Sequence, residues 1–167
     1  MILAATMSSG AVRALTIACI AGAGLVAGVY FLFSNFVMRG LRSLPAPAGM
    51  AAMQSMNKAA PNPLFVLALV GTGIACAVLG VVAATSWSAP GAPWALVGSA
   101  LYVASLLVTM TYHVPRNNAF DLVDPSSPDA AGRWARYLSE WLPWNHARAS
   151  AALASVVVLA ISLVAAD

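Results

Sequence analysis

Four long apolar segments limit what this chain can fold into more than any other feature of its sequence. They cover residues 14–38, 64–84, 94–112 and 149–166. A membrane-spanning helix needs about 20 consecutive apolar residues, and each segment is close to that length. Because lipid cannot satisfy backbone polar groups, the sequence predicts an all-α bundle of four transmembrane helices in a single domain, residues 1–167. The first segment is longer than the core of a secretion signal, so we interpret it as a spanning helix.

The composition agrees with a protein that lipid surrounds. Hydrophobic residues make up 61% of the chain and charged residues 8%, whereas a soluble domain has about 25% charged residues. The net charge of +3 is scattered, with no basic run, which argues against a nucleic-acid partner. Cys19 and Cys76 fall inside apolar segments without a CxxC spacing, so we expect them to be small packing residues.

Basic residues concentrate in the two long connections between the apolar segments. These residues are Arg39, Arg42, Lys58, Arg116, Arg133, Arg136 and Arg148. The opposite side has only Arg13. The positive-inside rule then predicts that both long connections are cytoplasmic and both termini outside. We expect the membrane to be the plasma membrane of a bacterium.

Each long connection is predicted to contain a short interfacial helix rather than a disordered linker. Met50, Met53 and Met56 recur at intervals of three residues, which is typical of an amphipathic helix at the membrane surface. In the second connection, Pro128 and Asp129 mark a helix start. The apolar stripe that follows consists of Trp134, Tyr137, Leu138 and Trp141.

Polar residues collect at the predicted cytoplasmic ends of the helices. They are Asn35, Asn57, Asn62, His113, Asn117, Asn118, Asn145, His146 and Arg148. Polar groups at membrane depth are costly unless they face one another or a wet cavity. Helices whose polar ends lie on the same side can therefore build one shared pocket, covered by the two interfacial helices.

Several of these residues also have a purely structural interpretation. Asn35 can bond a neighbouring helix, loop asparagines commonly cap helices or form turns, and Arg148 can extend to the lipid headgroups. His113 is harder to explain in this way, because it ends an apolar helix beside Tyr112 and precedes a rigid proline.

The two histidines also raise the question of a metal or haem. His113 and His146 lie on different predicted helices, and a third ligand such as Asp121 or Glu140 would be needed. No HxxxH or ExxH spacing occurs, so no metal site is predicted; if one exists, it involves the two histidines. The chain also has no nucleophile elbow and no glycine-rich phosphate loop.

Small residues recur within the first two apolar segments. Gly24 and Gly28 form a small-xxx-small pair, and Gly73, Ala77 and Gly80 could act in the same way. Such residues let helices approach closely. We expect these residues to pack helices of the same chain against one another. The alternative is that they form the interface between two copies of the chain in a homo-oligomer.

Four stretches of the sequence resemble the anthrone oxygenase-like family of small membrane proteins. They are FLFSNFVMRGLRSLP (residues 31–45), MQSMNKAAPNPLF (53–65), HVPRNNAF (113–120) and WLPWNHARAS (141–150). They occur in order and span nearly the whole chain. The resemblance implies a membrane-embedded monooxygenase, since fungal members oxidise anthrones to anthraquinones with molecular oxygen and require no organic cofactor.

The resemblance and the polar residues together lead to a hypothesis for the site. His113 is the candidate base, and Arg148 and Asn145 would stabilise an oxyanion. The candidate substrate-binding residues are Asn35, Asn57, Asn62, Tyr112, Asn117, Asn118, Trp141, Trp144 and His146. The expected partners are the bilayer, O2 and a small lipophilic aromatic substrate. The alternatives are a non-enzymatic membrane binding or assembly protein and a His-ligated metal or haem redox protein.

Overall fold

Residues 7–167, which the computed structural model describes, form helices and connecting turns with no strand among them. The helices are α1 (Gly10–Arg42), α2 (Ala46–Ala59), α3 (Pro63–Thr85), α4 (Ala92–Phe120) and α5 (Ala130–Ala165). All except α2 are long and apolar enough to cross a membrane. The predicted all-α fold with four membrane helices is therefore confirmed.

The four long helices close into a ring. α5 packs against α1 and α4, and α3 packs against α4 and α1. Cys19 and Cys76 are fully buried in the core, which confirms their predicted packing role. Large apolar side chains instead cover the outside, as at Leu25, Ile74 and Leu153. A soluble protein rarely exposes so much contiguous apolar surface, so this outer surface suits lipid.

Glycines permit the closest helix contacts. A Cβ atom on Gly22 would overlap the Thr72 side chain, and one on Gly98 would lie 2.7 Å from Leu159 Cγ. Gly73 and Gly80 face α4, as predicted for close packing, since a Cβ atom on Gly73 would overlap the Leu106 side chain and one on Gly80 would lie 3.4 Å from that of Ser99. Ala77, predicted to act with them, is exposed instead.

The Gly24–Gly28 pair makes no such close helix contact. The prediction that this pair packs within the chain is wrong for Gly28. Nothing lies within 4 Å of a Cβ atom built on Gly28, and Gly24 has only Val156 at 3.9 Å. The pair borders an open groove between α1 and α5 instead.

Two spanning helices extend well beyond the apolar segments that predicted them. α4 continues past residue 112 to Phe120, and α5 begins at Ala130 rather than at residue 149. The second predicted interfacial helix is thus continuous with the fourth spanning helix. The length of an apolar segment indicates which residues lipid covers. The helix itself continues beyond that segment wherever its polar side chains find partners inside the protein.

Three of the spanning helices contain a π-helical turn near the same end of the bundle. These turns cover Phe33–Val37 in α1, Leu67–Gly71 in α3 and Thr109–His113 in α4. Such turns are rare and frequently mark functional sites. The turn in α4 directly precedes Pro115, and this widened backbone accommodates a proline that would otherwise end the helix.

A second apolar cluster, called the roof below, covers this end of the bundle. It consists of Met38, Leu41, Met50, Met53, Phe120, Ala130, Trp134, Tyr137, Leu138 and Trp141. The amphipathic α2 contributes two methionines to it, as their spacing predicted. Gln54 of α2 donates hydrogen bonds to the main-chain oxygens of Phe120 and Val123, at 2.9 and 2.8 Å. These bonds hold α2 over the end of α4.

Replacing Gly98 by alanine should destabilise the bundle. The new methyl group would lie 2.7 Å from Leu159 Cγ and 3.1 Å from the Leu159 main-chain nitrogen. Overpacking of this kind costs about 1–3 kcal/mol, so the midpoint of thermal unfolding in detergent should fall. Gly28→Ala is the matched control, because its methyl group enters open space and should leave the midpoint unchanged or higher. Equal stability of Gly98→Ala and wild type would contradict close packing of α4 on α5.

Candidate functional site

A cavity of about 290 Å³ lies beneath the roof, between α1, α3, α4 and α5. All three π turns contribute residues to its wall. Most of the lining is apolar or aromatic. The polar side chains other than tyrosine and tryptophan are Asn57, Thr109, His113, Asn117, Asn118 and Arg148. An apolar cavity with a few convergent polar groups is the usual form of a small-molecule site.

Arg148 provides the charge in this cavity. Its side chain is buried, at 7% exposure, and no carboxylate within residues 7–167 forms an ion pair with it. Nε donates to Asn145 Oδ1 at 3.0 Å, and Nη1 donates to Thr109 Oγ1 at 3.2 Å. The guanidinium carbon lies 3.9 Å from the Tyr30 ring centre and 5.3 Å from that of Trp141. Neutral groups alone therefore hold a buried cation, which is a costly arrangement without an anionic partner.

Hydrogen bonds between three helices fix the position of this guanidinium. Asn145 Nδ2 donates to the main-chain oxygen of Tyr30 at 2.9 Å and to Ser34 Oγ at 2.7 Å. The hydroxyl oxygens of Tyr30 and Thr109 are 2.8 Å apart, and the Thr109 hydroxyl donates to the main-chain oxygen of Ser105 at 3.0 Å. The network joins α1, α4 and α5, so the charge is held in place before any ligand binds.

His113 lines the same cavity. Its side chain is almost completely buried, and its ring centre lies 4.8 Å from that of Trp141 in an edge-on contact. In the described part of the chain, neither ring nitrogen has a partner that meets hydrogen-bond geometry, although the Trp144 main chain lies near enough to interact with the ring. Buried polar groups are normally paired, so this imidazole is available to a ligand.

Asn117 positions the aromatic wall of the cavity. Its Oδ1 accepts hydrogen bonds from the Tyr137 hydroxyl at 2.8 Å and from Trp141 Nε1 at 3.1 Å. The indole N–H is thereby satisfied, and its ring is held against the cavity. Asn57 lines the cavity from α2 and donates to Asp121 Oδ1 at 3.0 Å.

Six of the predicted site residues lie outside the lining of this cavity, and four of these six line neither this cavity nor the groove between α1 and α5. Asn145 is fully buried behind the guanidinium and bonds to it. Asn62 caps α3, since its Oδ1 accepts from the Phe65 main-chain N–H at 3.0 Å. Tyr112 and Trp144 pack against each other, with ring centres 4.7 Å apart, and neither lines the cavity.

Two further predicted residues, Asn35 and His146, line the open groove between α1 and α5, whose volume is about 520 Å³. His146 is exposed there, so the two histidines lie in different cavities. Within residues 7–167, no three His, Cys, Asp or Glu side chains come together in a way that could hold a metal ion.

Sequence reasoning did not identify Tyr30 and Thr109 as part of the site. Both lie inside apolar segments, where a hydroxyl group at membrane depth was the only available signal. The apolar lining residues Phe33, Phe65 and Leu69 were also missed. Nothing in an apolar segment distinguishes a residue that faces a cavity from one that faces lipid.

Comparison with known protein families gives a match that covers α3, α4 and most of α5. The family model described as anthrone oxygenase matches residues 62–158, somewhat more than half of the 167-residue chain. The matched region contains His113, Asn117, Trp141 and Arg148. No curated protein and no solved structure matches the chain.

Replacing Asn117 by alanine should loosen the aromatic wall. The Tyr137 hydroxyl and the Trp141 N–H would lose their shared acceptor, and an unsatisfied buried donor costs about 1–3 kcal/mol. We expect a lower thermal unfolding midpoint and a shift in tryptophan emission. Asn118→Ala, at the exposed neighbouring residue, should change neither. If both variants behave alike, these two hydrogen bonds do not hold the wall.

Proposed function

Because the chain belongs to the anthrone oxygenase family, we propose that it oxidises a lipophilic, anthrone-like aromatic compound with molecular oxygen in the cavity beneath the roof. The observation that carries the proposal is the buried Arg148 guanidinium, which has no carboxylate partner among residues 7–167 and lines the same cavity as the His113 ring, whose nitrogens have no partner of full hydrogen-bond geometry in that range. A fixed positive charge beside a free base suits a substrate that becomes an anion during the reaction.

The proposed reaction needs no reductant from outside. An anthrone carries a CH2 group opposite its carbonyl group. Oxidation replaces both C–H bonds by a second C=O bond, so that one oxygen atom enters the product and the other leaves as water. The substrate itself supplies the four electrons that O2 accepts. We therefore propose that no organic cofactor takes part.

His113 takes the first proton in this mechanism. Loss of a proton from the CH2 group gives an anion whose charge spreads to the carbonyl oxygen. The anion passes one electron to O2, and the resulting radical and superoxide join as a peroxide, which regains the proton from the imidazolium. Loss of water from this hydroperoxide, with removal of the second C–H proton, gives the new carbonyl group. A positioned base of this kind typically contributes about 10²–10⁴-fold in rate.

Arg148 stabilises the substrate oxygen that gains negative charge. Its guanidinium has five N–H donors, more than its bonds to Asn145 and Thr109 use. It is also held in position inside an apolar cavity, where a charge acts more strongly than in water. Trp141 and Phe33, whose ring centres are 5.8 Å apart, present flat surfaces to a planar ligand.

We propose that the roof lies on the cytoplasmic side of the membrane. Arg39, Arg42, Arg116 and Arg133 belong to the roof end of the bundle, whereas Arg13 is at the other end, beside Asp167. The positive-inside rule supports this orientation. We also propose the substrate and O2 as the ligands of the cavity, and the lipid bilayer as the partner that surrounds the helices.

Oxygen uptake by purified protein given a simple anthrone tests the role of His113. His113→Ala should lower the rate by about 10²–10⁴-fold, because the proposed base is lost. His146→Ala provides the comparison, since that histidine lies in the other cavity; we expect it to keep most of the turnover. Unchanged turnover in His113→Ala would show that His113 is not the base. No uptake by folded wild-type protein would favour a binding or assembly role instead.

Variants at Arg148 test the stabilisation of the anion. Arg148→Gln keeps polar atoms in the network but removes the charge, and loss of such a stabilising group lowers kcat by about 10²–10³-fold. Arg148→Lys keeps the charge but lacks the planar guanidinium group, so its kcat should lie between that of Arg148→Gln and that of the wild type. Thermal unfolding measured on the same samples separates lost chemistry from lost folding. A folded Arg148→Gln protein with wild-type kcat would refute the role of the guanidinium.

A further inference from the structure

One group of exposed lining residues indicates a sideways opening of the cavity beneath the roof, between α3 and α4. The two helices pack together along Thr72–Thr85 and Ala92–Val108 and separate toward the roof. Three lining residues border the gap, and we call them the lateral mouth: Val66 on α3, which is 40% exposed, and Met110 and Val114 on α4, which are 40% and 39% exposed. The lining residues from α1 and α5 are buried or half-buried instead.

The surface around the lateral mouth is apolar. Leu64 and Leu67 on α3 and Leu107 on α4 are largely exposed beside it. The nearest charge on α4, Arg116, stacks on the Tyr112 ring, with its guanidinium carbon 3.7 Å from the ring centre. Tyr112 in turn packs on α5, so this charge is directed away from the gap. Lipid, rather than water, is the solvent that suits such a surface.

Bonded groups cover part of the aqueous side of the cavity. Gln54 holds α2 against the main chain at the end of α4, and Asn57 is bonded to Asp121 beyond it. Exposed lining residues are also present on this side: Met56, Ala60 and Pro61 lie at the corner between α2 and α3, and Asn118 lies on α4. A ligand entering from water would have to pass these residues.

We infer that a lipophilic ring compound enters and leaves the cavity through the lateral mouth, directly from the bilayer. The mouth lies between two π turns, Leu67–Gly71 on α3 and Thr109–His113 on α4, so each helix is widened where the two separate. His113 and Arg148 line the cavity that the mouth opens into. The inference rests on the proposed function only for the class of ligand, and its test requires binding without turnover.

Exchange of 2-fluoro-9,10-anthraquinone between lipid and protein tests the route. The protein is placed in lipid nanodiscs, and ¹⁹F saturation transfer measures exchange between the lipid-dissolved and the bound probe. The double variant Val66→Phe/Val114→Phe narrows the mouth without touching the polar groups of the cavity. We expect it to slow both binding and release about tenfold, with little change in the fraction bound at equilibrium.

The matched control is Val78→Phe/Val97→Phe, which adds the same side chains to lipid-exposed positions of α3 and α4 outside the cavity. It should exchange at the wild-type rate. Wild-type exchange in Val66→Phe/Val114→Phe would overturn the lateral route, and slowing by Ala60→Phe alone would assign entry to the aqueous corner. If wild-type protein shows no bound signal at all, the proposed ligand class is wrong, which is a different failure from an unaffected exchange rate.

Discussion

The structure around the cavity depends on how a guanidinium is kept inside a membrane protein without a carboxylate beside it. Arg148 is held by a side-chain amide, a threonine hydroxyl and two aromatic faces. The amide of Asn145, the Thr109 hydroxyl and Tyr30 belong to a network that joins three helices. Such a site retains a strong attraction for negative charge, because no carboxylate among residues 7–167 neutralises it. A carboxylate at Thr109 would satisfy the arginine and would also remove its attraction for an anionic ligand.

The roof and the membrane helices have separate tasks in this arrangement. In the part of the bundle away from the roof, small residues such as Gly98 and Cys76 let the helices pack close together. Near the roof, larger side chains enclose a cavity instead of filling the space between the helices. Asn117, near the roof end of α4, bonds two roof residues of α5, Tyr137 and the cavity-facing Trp141. The shape of the cavity thus depends on how the roof is fastened.

The membrane helices could be predicted because the signal for them is local: lipid requires a long apolar run, and four such runs are visible in the sequence. His113, Asn117 and Arg148 could be identified for a similar reason, since a polar side chain at the end of an apolar helix needs a partner. Which side of a helix each residue faces was not predictable. Tyr112 and His113 are adjacent, yet only His113 lines the cavity. Both residues lie in the π turn Thr109–His113, and the geometry of this turn sets the directions of their side chains. No sequence pattern marks that turn, nor the face of α5 that directs His146 into the groove.

A π turn is equivalent to one extra residue inserted into an α-helix. The helical register of everything beyond it is therefore advanced by one position, which amounts to about 100° of rotation. In α4, the segment that carries Asn117 and Phe120 follows such an insertion at Thr109–His113. Deleting a single residue from this turn would preserve an unbroken apolar helix of almost the same length. It would nevertheless rotate the amide of Asn117 by about 100° away from the indole that it orients. A chain with an intact membrane fold would then lose its cavity through a change in angular phase alone.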